Sequence, residues 1–133
     1  MITRLRGASK GVKAYNTLQC GSEPTDHIHL HSDLVFVNHS CDPNMAFDLS
    51  SLDSAEWHIR ALRSIIPGEQ LTAFYPATEW IMDQAFDCNC GSERCLGRVE
   101  GASGISAEVL SKYWLNPWIV RLKKDQSIQP DRT

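Results

Sequence analysis

Apolar and polar residues alternate through much of this chain, a period of two that favours strands over helices. KAYNTLQC, Lys13 to Cys20, alternates well enough for a strand, and HIHLH, His27 to His31, alternates strictly. Between them, Gly21 to Asp26 has the Gly, Ser, Pro and Asp content of a turn. A short apolar run, DLVFVNH at Asp33 to His39, comes next, with turn chemistry at its exit in Asp42, Pro43 and Asn44. MAFDL, Met45 to Leu49, predicts another strand. AEWHIRALRSI and QLTAFY predict a strand pair joined through Pro67, which fixes φ, and Gly68, which permits it to be positive. Helical spacing begins late. SAEVLSKYW, Ser106 to Trp114, has an N-cap serine, an acid in its first turn and apolar residues at Val109, Leu110, Tyr113 and Trp114. Pro117 separates it from WIVRLKK, and the polar DQSIQPDRT predicts a frayed end. The pattern predicts a β-rich middle with helix at the C-terminal end.

Composition sets the frame. A chain of 133 residues supports one core, burying roughly two thirds of the unfolded surface. Net charge −3 with 42% hydrophobic residues fits a soluble domain and leaves no basic face for direct nucleic-acid binding. MITRLRGASKGVKAY lacks the apolar centre of a signal peptide, and no window approaches the run of about 18 apolar residues that a membrane span needs. No membrane partner is expected. The expected compartment is reducing and intracellular, cytoplasm or nucleus, which suits free or metal-bound thiols.

Cysteine placement changes the picture most. NHSCDPN, Asn38 to Asn44, holds Cys41, and CNCGSERC holds Cys88, Cys90 and Cys95. Structural zinc takes four sulfur or nitrogen ligands, and Cys41 is the best fourth for the downstream three. On a flat strand the side chains of Cys88 and Cys90 would stand about 6.6 Å apart, so the chain must bend there, and Gly91 helps. A Cys-x-Cys disulfide, or a Cys41 thiol nucleophile beside His39, are the alternatives. His39 and Cys41 are too close in sequence for the usual nucleophile and base. Cys20 reads as a small buried hydrophobe. His27, His29 and His31 share one side of an extended HIHLH, either as a polar strand face or as ligands to a second metal.

Three ordered motifs, NHSCDPN, PGEQLTAFY at Pro67 to Tyr75 and FDCNCGSERCLG at Phe86 to Gly97, resemble the C-terminal half of a SET domain with its post-SET segment. The resemblance runs from about Tyr15 to Gly101. It implies a mainly β, α+β fold of the SET β-clip type, shortened at its N-terminus, with a zinc-binding post-SET segment and a C-terminal helix. The domain boundaries it suggests are 1–86, 87–101 and 102–133. It also implies zinc on Cys41, Cys88, Cys90 and Cys95, a catalytic Tyr75, and S-adenosylmethionine held by Asn38 and His39, with Val99 packed on its adenine. The chain departs from the family in three places. RGASKG at Arg6 to Gly11 is a weak echo of the family's glycine-rich loop, Phe74 stands where aspartate is usual, and Ala73 stands where many members place an aromatic residue.

The favoured function is S-adenosylmethionine-dependent methylation of a protein lysine. The alternatives are a SET-fold enzyme that has lost methyl transfer and acts on a small molecule, by cyclisation or isomerisation in secondary metabolism, and a noncatalytic binding module. Glu79 and Asp83, four apart after Tyr75, read as a solvated helix face. Trp57, Trp80, Trp114 and Trp118, together with strand edges left open by a shortened fold, predict a homodimer.

Overall fold

A central sheet with its most apolar strand in the middle organises the chain, seen here in a computed structural model that describes residues 1–128. Ten short strands are present among them: β1 (Thr3–Arg4), β2 (Ser9–Lys10), β3 (Leu18–Gln19), β4 (His27–His29), β5 (Asn38–His39), β6 (Met45–Asp48), β7 (His58–Ala61), β8 (Thr72–Ala73), β9 (Phe86–Asp87) and β10 (Arg98–Val99). The five-stranded sheet runs β1-β7-β6-β8-β5, a three-stranded sheet runs β2-β4-β3, and β9 pairs with β10. Strand β6 is buried along its whole length, whereas β7 alternates. A strand apolar on both faces belongs inside a sheet, so β6 lies between β7 and β8. The predicted direct pairing of AEWHIRALRSI with QLTAFY is thereby corrected. The Pro67–Gly68 turn itself is present, with Gly68 at φ 86° and Glu69 N–H donating to Ile66 C=O at 3.1 Å.

β8 pairs in parallel with both β5 and β6. That arrangement brings the NHSCDPN motif beside the PGEQLTAFY motif. Asn44, 1% exposed, holds them together: its side chain donates to Glu69 Oε2 and the Gln70 carbonyl and accepts from Thr72 N–H at 2.9 Å. What the sequence presents as turn chemistry is a fully satisfied buried amide joining two motifs. The apolar run before them folds as a 3-10 turn, Asp33–Phe36, capped by Ser32.

Two helices complete the core. α1 is shorter than predicted, Ala107–Leu110, although Ser106 caps it as expected by accepting from Val109 N–H. α2, Pro117–Ile128, starts with its proline in the first turn, where the missing N–H costs nothing. It continues through Asp125–Ile128, which the sequence assigned to a frayed end; the rest of that predicted tail, 129–133, lies outside the described residues. Leu110, Trp118 and Ile119 pack in one cluster with Met45, Ile59 and Phe74. Trp118 is buried in the core, half-buried Trp57 and Trp80 pack against it, and half-buried Trp114 lies 5.1 Å from the Arg60 guanidinium. Among the described residues no helix is long and apolar enough to cross a membrane.

Candidate metal centre and substrate cleft

The four cysteines converge because two turns bend the chain where the spacing demands it. Cys88 follows β9, its N–H bonded to Gly97 C=O at 2.7 Å, and Gly91 and Gly97 take φ of 75° and 76°. Those are left-handed conformations that a side chain resists. Cys41 arrives from the loop after β5, and its Sγ accepts from Leu96 N–H at 3.3 Å. The four Sγ atoms all lie within 4.8 Å of one another, with Cys41 and Cys88 at 3.9 Å. Four thiolates around zinc at about 2.3 Å would stand about 3.8 Å apart, so the donor set and spacing fit a closed tetrahedral ion.

Burial pushes the Cys41 thiol up to about 12 and raises Cys88 as well. Cys90 goes the other way, to about 6: burial opposes ionisation, but backbone N–H groups of Cys41 and Ser92 and the neighbouring thiols outweigh it. Four sulfurs this close cannot all ionise unaided, and a dication removes the conflict. Among the described residues these cysteines form the one group of three or more metal-ligating side chains close enough to share an ion. The histidines of HIHLH do not join them. His27 is 1% exposed with Nδ1 3.0 Å from Thr17 Oγ1, while His31 leaves the strand at φ 53° and contacts Ser9. Cys20 is half-buried against the core, and burial raises its thiol.

His39 sits between the metal centre and the aromatic residues around Tyr75. Its Nδ1 is 3.5 Å from Cys88 Sγ, and its ring meets Tyr75 edge-on at 5.2 Å, Phe86 at 5.5 Å and Phe74 at 5.7 Å. Burial lowers its pKa to about 4, which keeps the ring neutral at pH 7. The Nε2 atom is sealed from solvent with no hydrogen-bond partner. Leaving such an atom unsatisfied costs about 1–3 kcal/mol, a cost that a ligand can relieve. Asn38, beside it on β5, is exposed. Val99 is wholly enclosed against Cys41 and Cys88, with half-buried Phe86 and Leu96 beside it, so it has no surface free for a ligand.

Tyr75 opens the 3-10 turn Tyr75–Ala77 immediately after β8. Its hydroxyl donates to Val37 C=O at 2.6 Å, which fixes the ring, and burial raises its pKa. A cleft enclosing about 90 Å³ runs past it, lined by Tyr15, Val37, Phe74, Glu79 and Asp83 among others. The segment carrying the two acids is not helical, and the expected solvated face is absent. Asp83 is exposed, but Glu79 is 9% exposed, and burial pushes its carboxyl up to about 7 against the opposing effect of hydrogen bonds from Thr78 and Gln19.

Phe74 has a packing role that its position in the motif does not reveal. It stacks on Tyr113 with ring centres 3.7 Å apart and planes within 5°. Tyr113 donates its hydroxyl to Cys41 C=O at 2.6 Å, and the Arg94 guanidinium lies 4.6 Å over its other side. The C-terminal segment thus clamps the loop that delivers Cys41 to the cysteine cluster. Sequence reasoning counted Tyr113 only as an apolar position of a helix.

The family described as SET domain matches residues 9–76. A protein named methyltransferase flvH from Aspergillus flavus is 44% identical over 123 residues, covering 91% of this chain and 66% of that protein. Two Caenorhabditis elegans proteins are also similar. The histone-lysine N-methyltransferase mes-4 is 35% identical over 72 residues, which cover 47% of this chain and 8% of that protein. The histone-lysine N-methyltransferase Suv4-20 is 34% identical over 89 residues, covering 61% and 30%. The chain therefore spans 66% of the first relative's length and far less of the other two.

Proposed function

From membership of the SET domain family, to which this chain belongs, we propose that it transfers a methyl group from S-adenosylmethionine to the side-chain amine of a protein lysine. One observation carries the reading: the fixed ring of Tyr75 lines the cleft, and His39, whose Nε2 has no partner, packs edge-on against that ring with 5.2 Å between ring centres. Asn38 and His39 would hold the cofactor. S-adenosylmethionine, when bound, supplies a methyl group on an electrophilic sulfonium. The chain's part is alignment and exclusion of water, which account for much of the acceleration in such transfers. Tyr75, held by Val37, sets the direction of approach.

Zinc on Cys41, Cys88, Cys90 and Cys95 is structural in this reading, since four sulfurs leave no position open for substrate. Five free thiols among the described residues support an intracellular, reducing location. β1 and β5 end the five-stranded sheet, and a homodimer would cover one of these terminal strands.

Calorimetric titration with S-adenosylmethionine tests the proposal. One site per chain is expected, lost in His39→Ala. Absence of binding to zinc-loaded, folded protein would remove methyl transfer and leave the noncatalytic binding module ahead.

A further inference from the structure

Two carboxylates are buried among the described residues, Asp48 and Glu79. Asp48 is answered by Arg60 at 3.1 Å and His58 at 3.4 Å. Glu79 has no cation within ion-pair distance among the described residues. Its Oε2 accepts from Gln19 N–H at 3.0 Å and from the Thr78 hydroxyl at 2.5 Å. Gln19 is itself fixed, donating to Gly21 C=O at 2.7 Å and accepting from Trp80 N–H at 2.8 Å. Oε1 receives no hydrogen bond from a described residue, yet it is not among the atoms sealed from solvent. Glu79 lines the same cleft as Tyr75.

We propose that Glu79 receives the substrate's ammonium group in the cleft and takes its proton, so that the cleft selects a primary amine and delivers it neutral. The proposal rests on the methyl-transfer reading above and names the group that this reading lacks. A lysine ammonium, with pKa about 10.4, has no free electron pair at neutral pH and must lose a proton before it can attack carbon. In the step assigned to Glu79 an ammonium N–H bond breaks, an O–H bond forms at Oε1, and the electron pair stays on nitrogen. The two opposite charges are neutralised together, which a water-poor cleft favours. The proton then leaves Oε1 to solvent once the methylated amine has departed.

The environment suits that work. A carboxyl held near 7 accepts a proton at neutral pH and releases it again without a deep trap. The titratable groups facing it are Lys13, which favours its anion, Tyr75 and Cys20, whose raised pKa values keep them neutral at pH 7, and Asp83 on the exposed part of the cleft.

Glu79→Gln tests the assignment, because the amide oxygen can still accept from Gln19 and Thr78 while the base is gone. The probe is n-butylammonium chloride, with n-butanol as its uncharged counterpart, titrated into the zinc-loaded protein and followed by amide NMR shifts. Expected are at least tenfold weaker n-butylammonium binding in Glu79→Gln and unchanged n-butanol binding. In the wild type, n-butylammonium binding should weaken as pH falls through about 7, a readout independent of any variant's folding. Methyl transfer to lysine peptides at pH 7 should drop roughly 10²-fold in Glu79→Gln. That gap should narrow towards pH 10, where lysine arrives neutral. Equal n-butylammonium affinity in the two proteins, or parallel pH profiles, overturns the proposal. Glu79-dependent n-butylammonium binding without methyl transfer supports the amine site and contradicts the methyl-transfer reading alone.

Discussion

Asn116 ties the C-terminal helix to the strand that carries the cleft, and removing its amide should be among the most damaging single changes in the chain. The residue is 0% exposed. Its Nδ2 donates to Phe47 C=O at 2.9 Å and Ala77 C=O at 3.0 Å, and its Oδ1 accepts from Leu49 N–H at 2.9 Å. Ala77 C=O keeps a second donor, the backbone N–H of Asn116 at 3.1 Å. Asn116→Ala therefore strands two buried groups, Phe47 C=O and Leu49 N–H. At about 1–3 kcal/mol for each, the loss is about 4 kcal/mol. For a domain of this size that lowers Tm by roughly 10–20 °C. Asn116→Asp keeps the acceptor for Leu49 but turns a carboxylate oxygen towards two carbonyls, so it should fare no better at pH 7. Thermal unfolding followed by circular dichroism measures both. A fall in Tm of under about 4 °C for Asn116→Ala would mean that the network contributes little and that apolar packing alone holds the helix.

Chelation of zinc or Cys41→Ser should release the segment from Phe86 to Gly101, because metal-binding energy at such a site is folding energy; elemental analysis should find one zinc per chain, and a zinc-free protein with unchanged proteolysis would contradict the assignment. Tyr113→Phe removes the hydrogen bond to Cys41 C=O but keeps the stack on Phe74, so zinc should be lost to a chelator faster while Tm falls by only a few degrees, whereas unchanged zinc release would sever the proposed link. Glu79 has a folded pKa near 7, raised above its unfolded value, so the stability linked to it is complete below the unfolded pKa and is lost as pH rises through 7. Glu79→Gln should flatten that decline, by an amount on the order of 3 kcal/mol between the two ends, and denaturant titrations at pH 5 and 8 that show the same slope in both proteins would refute it. Light scattering should give twice the mass of one 14.9 kDa chain at micromolar concentration, and a single-chain mass would dismiss the dimer.

The convergence of the four cysteines was the most legible part of the sequence, because it is carried by residue type and spacing. Four cysteines with Gly91 between two of them leave few arrangements, and the bend at φ 75° is what the spacing demands. The β-rich middle and the Ser106 cap were legible for similar local reasons. Strand order was not. β7 and β8 read as neighbours because a turn joins them, and the decision to insert β6 comes from burial on both faces, a property of the assembled sheet. Glu79 was misread for a related reason. Its four-residue distance from Asp83 suggests a helix, but Glu79 N–H bonds Tyr75 C=O and the chain then turns inward to meet Gln19 from a distant strand. Phe74 stood out only as a departure from the family's usual aspartate, and its packing partner lies 39 positions on, in the ring of Tyr113. Contacts between distant positions, each using an ordinary residue, leave no local signature.

The most direct test of the account is transfer of radiolabel from the methyl group of S-adenosylmethionine to lysine-bearing peptides, with wild type and Tyr75→Phe compared at pH 8. The change removes one hydroxyl and its bond to Val37 C=O while keeping the ring, so stability should shift by no more than about 1 kcal/mol. The account predicts label on the lysine nitrogen with wild type and a loss of roughly 10²-fold or more in turnover for Tyr75→Phe at undiminished cofactor binding. No transfer by folded, zinc-loaded wild type, or equal transfer by the two proteins, would contradict it.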